Sequence, residues 1–140
     1  LCGASAENPV KTPHRIGRHT HLHHLAGGKA ILASLPESSV NEIIDDEGLP
    51  AMTENTITDR DTLFAELEEI REREMAYNRE EAMNGLWAIG APIRGVDGDV
   101  YGSISLSGPA NRFTEDRVDS ELRELLLGTA NEIELNLRSF

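Results

Sequence analysis

Three serines alternate with apolar residues in one short segment, at Ser103, Ser105 and Ser107. Side chains alternate across a β-strand, so on a strand these hydroxyls would share one face. The preceding apolar run would place Ala88 and Gly90 on the same surface. A ligand site needs open space and a few placed polar groups, and this surface offers both. The pattern predicts a vacant, hydroxyl-edged chamber beside a sheet; the alternative is a solvated sheet face.

A histidine-rich stretch lies upstream, where residues 19–24 read His-Thr-His-Leu-His-His. On an extended strand His19, His21 and His23 would share one face and could chelate zinc. No carboxylate or thiol at a convincing spacing completes such a site, and histidines in an acidic chain also serve as partners for carboxylates. We predict no metal here and keep a metal-dependent hydrolase built on this row as an alternative function.

Two glycines precede a lysine in residues 25–30, which read Leu-Ala-Gly-Gly-Lys-Ala. The free N–H groups at the start of a helix could hold an anion there. The spacing is not that of a phosphate-binding loop. The alternative is that Gly27 and Gly28 make a tight start to a helix and that Lys29 is solvated.

Groups for covalent or acid–base catalysis are poorly represented. Residues 105–108 read Ser-Leu-Ser-Gly, which is not the Gly-x-Ser-x-Gly pattern of a nucleophile elbow. Glu80 and Glu81 are a candidate carboxylate pair, but adjacent side chains on a turn usually diverge. We predict no catalytic residue, no cofactor and no enzymatic activity.

Hydrophobic periodicity and capping residues indicate the elements that would position these groups. The predicted elements are two short strands and a loop in residues 1–24, a short helix from Leu25 stopped by Pro36, a helix over Glu37–Glu47 ended by Gly48, a helix from Thr58 or Asp59 to about Glu74, strands over Leu86–Arg94 and Val100–Ser107, and a long helix from Thr114 to about Arg138. Asp97-Gly98 between the last two strands is a strong hairpin signal. The predicted class is α+β, an antiparallel sheet with helices on one side.

The composition excludes several classes of protein. Thirteen Lys and Arg residues stand against 25 Asp and Glu residues, a formal net charge of −12, which disfavours direct binding to DNA or to an anionic membrane. No long apolar run is present, so we expect a cytoplasmic protein without a membrane partner. Cys2 is the single cysteine and closes no internal disulfide. Lys11 and Lys29 are the only lysines, and this acidic balance is typical of a halophilic source.

Two segments together resemble the effector-binding domain of IclR-type transcriptional regulators. The first spans Met75–Pro109 and carries the motifs Asn-Arg-Glu-Glu at 78–81, Gly-Leu at 85–86, Ala-Ile-Gly-Ala-Pro-Ile at 88–93, Asp-Gly at 97–98 and Ser-Leu-Ser-Gly-Pro at 105–109. The second reads Gly-Lys-Ala-Ile-Leu-Ala at 28–33. The resemblance covers essentially the whole chain, and its order and spacing match.

The resemblance implies a GAF-like domain, which is an antiparallel sheet flanked by helices. Such a domain binds a small organic metabolite, commonly a carboxylic acid, and controls a winged helix-turn-helix DNA reader. It also implies a homodimer or homotetramer, for which the long last helix is a plausible contact element. The family's arrangement places a linker helix and a first strand before Leu1. We therefore expect residues 1–140 to be an effector-binding domain truncated at its N-terminus, with the DNA-binding domain elsewhere. A ligand-free dimerisation module is the remaining alternative.

Carried over position by position, the family's effector pocket implies six residues here: Ala26, Gly27, Asn78, Ala88, Ser105 and Ser107. Two positions depart from the family pattern. Leu25 stands where a small hydroxylated residue often precedes the helix, which removes a cap or a ligand contact. Glu74 stands where glycine is usual.

Overall fold

A computed structural model describes residues 21–138 of the 140-residue chain. The elements are α1 (Ala26–Ala33), α2 (Glu37–Glu47), α3 (Arg60–Arg73), β1 (Ala76–Arg79), β2 (Leu86–Arg94), β3 (Val100–Pro109), α4 (Glu115–Arg117), a π-helical turn (Val118–Leu122) and α5 (Arg123–Leu137). Strands β1, β2 and β3 form an antiparallel sheet in that order. The predicted α+β class with a long C-terminal helix is confirmed.

Local chemistry fixes the ends of α3. The Asp59 carboxylate accepts hydrogen bonds from the backbone N–H of Thr62 at 2.9 Å and from its hydroxyl at 2.8 Å, which caps the helix. The same two hydrogen bonds lower the pKa of Asp59, because they favour the charged carboxylate. The helix ends at Glu74, which adopts the left-handed conformation with φ of 62°. This conformation explains why glycine is usual at the position.

Helices pack on both sides of the sheet, so the predicted arrangement with helices on one side is wrong, and the one that the family resemblance implies is confirmed. The small-residue side packs with α1, α2 and α3 in one core whose central members are Ala30, Val40, Leu63, Leu67 and Ala88. The bulky side packs with the C-terminal helices in a second core whose central members are Met75, Ile89, Ala91, Val118 and Leu126. The sheet therefore lies between two hydrophobic cores and contributes side chains to both.

Three local features differ from the predictions. Strand β1 (Ala76–Arg79) was not predicted, because four residues are too few to establish an alternation. Residues 21–25 form a turn, in which the N–H of Leu25 donates to the carbonyl of Leu22 at 3.2 Å, so they are not the extended strand on which His21 and His23 would share a face. The long last helix contains the π-helical turn at Val118–Leu122. The remainder of the predicted N-terminal strands lies outside the described residues.

No helix within residues 21–138 combines the length and the apolar composition that crossing a membrane requires.

Candidate ligand-binding face

The small-residue side of the sheet brings the predicted strand positions into neighbouring rows. Asn78 of β1 pairs with Ala88 of β2, which pairs with Ser107 of β3. Gly90 and Ser105 pair in the next row. Four of the six predicted residues therefore lie side by side, and three of them, Ala88, Ser105 and Ser107, share the surface that the alternation of the hairpin predicts. We call this surface, with Ser103 at its margin, the small-residue face.

The first turn of α1 lies directly on this face. A methyl group on Gly90 would come within 2.6 Å of the carbonyl carbon of Ala26 and of the backbone nitrogen of Gly27. A methyl group on Gly27 would lie 2.7 Å from the Ser103 hydroxyl and 3.9 Å from Cβ of Ser105. The backbones touch because both glycines lack Cβ. Ala26 and Gly27 thus join the other predicted positions in one neighbourhood.

Asn78 is a buried clamp in this neighbourhood. Its side-chain nitrogen donates to the backbone carbonyl of His24 at 2.7 Å, and its side-chain oxygen accepts from the backbone N–H of Glu81 at 2.9 Å. These bonds fasten the turn that leads into α1 to the end of β1. A structural role is therefore visible for Asn78, and its role in holding a ligand stays a prediction.

The serine hydroxyls are exposed rather than enclosed by the described residues. Ser105 and Ser107 lie on β3, the edge strand of the sheet formed within residues 21–138, and their hydroxyls have no hydrogen-bond partner among these residues. A cavity of about 340 Å³ and a much smaller one beside His23 are lined by other residues. The predicted chamber is therefore not closed by residues 21–138, and it stays a prediction.

Lys29 is the main polar residue whose placement the sequence interpretation missed. Its side chain is fully buried, so the alternative of a solvated lysine is wrong. The ammonium group donates to Glu81 at 2.8 Å, to Glu66 at 3.2 Å and to the backbone carbonyl of Tyr77 at 2.5 Å. Buried charges are tolerated when they are paired in this way. The available signal was a lysine inside an otherwise apolar helix.

The paired glycines before Lys29 are explained by close packing. A methyl group on Gly28 would lie 2.1 Å from the carbonyl oxygen of Leu22, so the turn before α1 leaves no room for a side chain. Leu25 precedes the helix without a side-chain cap. The tight start that was one interpretation of Gly27 and Gly28 is therefore what the backbone shows, and anion binding there stays a prediction.

The histidines of the described residues do not converge on a metal site. The rings of His21 and His23 lie 6.0 Å apart, edge to face, in the turn before α1. Nε2 of His23 donates to the backbone carbonyl of Pro50 at 2.8 Å. Within residues 21–138 no group of three His, Cys, Asp or Glu side chains has a ligating arrangement, and His19 lies outside these residues. His21 and His23 lie in a turn and not on an extended strand, so the predicted shared face is not formed by these two residues.

The carboxylates of Glu80 and Glu81 point to different partners. Glu80 accepts from the backbone N–H of Gly85 at 2.7 Å, whereas Glu81 accepts from Lys29. The expected divergence of this pair is confirmed.

Comparisons with known proteins identify the family. Residues 4–135 match the family model described as the bacterial transcriptional regulator IclR C-terminal domain. The HTH-type transcriptional repressor AllR of Escherichia coli K12 is 39% identical over 118 residues, which are 84% of this chain and 43% of the relative. The chain thus spans less than half the length of this curated relative.

Two solved structures share the fold. Thermotoga maritima IclR superposes with a TM-score of 0.90 at 35% sequence identity. The superposition covers 96% of this chain and 54% of the Thermotoga chain. The second structure is a double mutant of the PobR transcription factor inducer-binding domain from Acinetobacter, in complex with 3-hydroxybenzoic acid. It superposes with a TM-score of 0.81 at 27% sequence identity, over 89% of this chain and 72% of the PobR chain. The chain therefore belongs to the IclR family of transcriptional regulators and corresponds to their C-terminal, effector-binding domain.

Proposed function

We propose that the chain binds a small carboxylic acid at the small-residue face, through Ala26, Gly27, Asn78, Ala88, Ser105 and Ser107. The observation that carries the proposal is the meeting of the first turn of α1 with β3 across Gly90. Free serine hydroxyls and helix N–H groups are both donors to a carboxylate, and here they lie on one surface. The PobR domain complex with 3-hydroxybenzoic acid supports an acid as the ligand class.

The bound acid acts as a signal and is not consumed. The match to IclR-type transcriptional regulators supports a regulator rather than an enzyme. Binding shifts an equilibrium between two arrangements of subunits, in a homodimer or homotetramer, and this changes DNA binding by a winged helix-turn-helix domain elsewhere in the full-length protein. Such coupling requires different affinities in the two states, worth about 1 to 3 kcal/mol. The regulator acts in the cytoplasm, where its DNA is.

Thermal unfolding of the 140-residue chain against a panel of small acids tests this proposal. The panel contains 3-hydroxybenzoate, glyoxylate, pyruvate and succinate. An acid present at 100 times its dissociation constant adds about 2.7 kcal/mol to the free energy of unfolding. If none of the acids stabilises the chain, the ligand-free dimerisation module becomes the better description.

A pair of variants ties binding to the small-residue face. Ser105→Leu fills the surface beside Gly27 and should abolish the response to the acid while the chain stays folded. Ser38→Leu places the same side chain on the exposed surface of α2 and should leave the response unchanged. An undiminished response in Ser105→Leu would place the binding site elsewhere.

A further inference from the structure

A cavity of about 340 Å³ lies at the other end of α1, bounded by α1, α3, β2 and α5. It exists because the strands differ in length. Strand β1 begins at Ala76, opposite Gly90, so β2 continues without this neighbour from Ala91 to Arg94. Pro92, which has no N–H to donate, sits in this overhang. The cavity contains none of the six residues of the proposed effector site.

The inner wall of the cavity is apolar and made of small side chains. Four alanines line it, one each at Ala30, Ala33, Ala91 and Ala130. All four are at most 5% exposed. Because these side chains are small, space remains that larger side chains would fill. The cavity volume of about 340 Å³ lies within the range of about 300 to 1,000 Å³ typical of small-molecule sites.

The rim carries charges of both signs. Arg71 and Arg94 stand with Glu74 and Glu134 around the opening. The Arg94 guanidinium donates to the Ser34 hydroxyl at 3.3 Å and has no carboxylate within 4.0 Å among residues 21–138. Because its guanidinium has no carboxylate partner among these residues, Arg94 can accept an anion from a ligand in the cavity.

The carboxylates of the rim determine which kind of anion fits. Glu134 accepts from the backbone N–H of Arg94 at 2.9 Å, and Glu74 has no ion-pair partner within the described part of the chain. A plain carboxylic acid on Arg94 would be repelled by these neighbouring carboxylates. A molecule that carries an ammonium group beside its carboxylate would complement both signs.

We propose that this cavity is a second ligand site, which binds a free amino acid with an apolar side chain. The ligand's carboxylate pairs with Arg94, its ammonium group with Glu134 and Glu74, and its side chain lies on the alanine wall. Because Arg94 belongs to β2 and Glu134 to α5, the ligand fastens the C-terminal helix to the sheet. The site is separate from the proposed effector site and differs from it in ligand class.

NMR of the isotope-labelled 140-residue chain tests the ligand class. The probes are L-valine, L-leucine, L-methionine and L-phenylalanine, with 4-methylpentanoate and 3-methylbutylamine as the analogues of leucine that lack its amino or carboxyl group. We expect at least one amino acid to shift the methyl resonances of Ala91 and Ala130, and each analogue to bind at least about tenfold more weakly than leucine or not at all. Absence of shifts with all four amino acids at about 10 mM would overturn the proposal, as would equal binding of leucine and 4-methylpentanoate.

Paired substitutions locate the binding. Arg94→Gln and Glu134→Gln should each weaken the amino acid's affinity about tenfold or more, because each removes a charge-assisted contact. Arg112→Gln and Glu132→Gln change exposed residues of the same types and should leave the affinity unchanged. Ser105→Leu should also leave it unchanged, which separates this site from the effector site. Full affinity in both Arg94→Gln and Glu134→Gln would contradict the proposal.

Discussion

Lys29 holds its ammonium group where water has no access, and the three oxygens around it make this possible. Replacement by Met keeps the unbranched shape and most of the length of the side chain but leaves the buried Glu81 carboxylate without its cation. We expect Lys29→Met to lower the free energy of unfolding by about 3 kcal/mol, because the remaining carboxylate would stay buried with no opposite charge to offset the cost of removing it from water. Urea unfolding followed by circular dichroism measures the loss.

Glu81→Gln in the Lys29→Met background provides the control for this pair. The neutral amide no longer requires a cation, so the double variant should be more stable than Lys29→Met alone. A single variant within about 1 kcal/mol of the parent would show that the ammonium group contributes little.

His23 makes the domain sensitive to acid. Burial lowers the pKa of His23 below its ordinary value of 6.5, and the hydrogen bond to Pro50 opposes this shift only in part. The unfolded chain therefore takes up a proton at a higher pH than the folded one. The stability that depends on neutral His23 is complete above pH 6.5 and is lost as the pH falls through the lowered pKa.

Urea unfolding at several pH values on either side of 6.5 measures this effect. His23→Gln keeps an N–H donor for the Pro50 carbonyl and removes the titrating group. We expect its stability to fall less steeply with acid than that of the parent chain. Parallel profiles of the two proteins would assign the acid sensitivity to other groups.

Glu74 adopts a left-handed backbone conformation, and its replacement by glycine measures what this conformation costs. Its φ of 62° is costly for a residue with a side chain, so Glu74→Gly should raise the free energy of unfolding by about 0.5 to 1 kcal/mol. Glu80 has a φ of 60°, but its carboxylate also accepts from Gly85. Glu80→Gly should therefore gain less or lose stability. Chemical unfolding of both variants checks the difference, and an equal gain from both would refute this account.

The packing of α1 on the sheet depends on Gly90. Gly90→Ala would force the first turn of α1 away from β2, since a contact of 2.6 Å with backbone atoms has no flexible side chain to yield. We expect a loss of about 1 to 3 kcal/mol, measured by thermal unfolding. Gly102→Ala is the matched control, because a methyl group there meets no atom within 4 Å. Similar stabilities for the two variants would contradict the close approach of α1.

Elements with long, repeated patterns were predictable, and short or irregular ones were not. The β2–β3 hairpin follows from two alternating runs around Asp97-Gly98, and the alternation also determines which residues share a face. The register shift between Ile93 and Arg94 was not predicted. Strand β1 escaped prediction because its hydrogen bonds to β2 decide its conformation more than its four residues do. The π-helical turn also has no sequence signal, since an α-helical pattern continues through it.

At the scale of the whole molecule, the candidate site was predictable where the alternation of side chains along the β2–β3 hairpin determined it. Alternation alone placed Ala88, Ser105 and Ser107 on one surface, and the family resemblance added Ala26, Gly27 and Asn78. The buried position of Lys29 and the cavity beyond β1 require the joint arrangement of three or four elements. No local pattern contains that information, because distant segments create both features.

The charge of the whole chain gives the last prediction. A net charge of −12 at pH 7 means that the folded state repels itself most when little salt is present. The screening length grows from about 3 Å at 1 M salt to about 30 Å at 0.01 M. We expect the melting temperature to fall by about 5 °C or more between 2 M and 0.05 M sodium chloride.

A less acidic variant separates charge repulsion from other effects of salt. Glu72, Glu124 and Glu132 are exposed and form no ion pair within residues 21–138. Their replacement by Gln removes three negative charges and should flatten the dependence of the melting temperature on salt, because repulsion grows with net charge. The halophilic interpretation of the composition fails if the parent chain melts at the same temperature at both salt concentrations. A salt dependence of equal size in the parent and the triple variant would instead assign the effect to salt-strengthened apolar burial, since burial does not depend on these carboxylates.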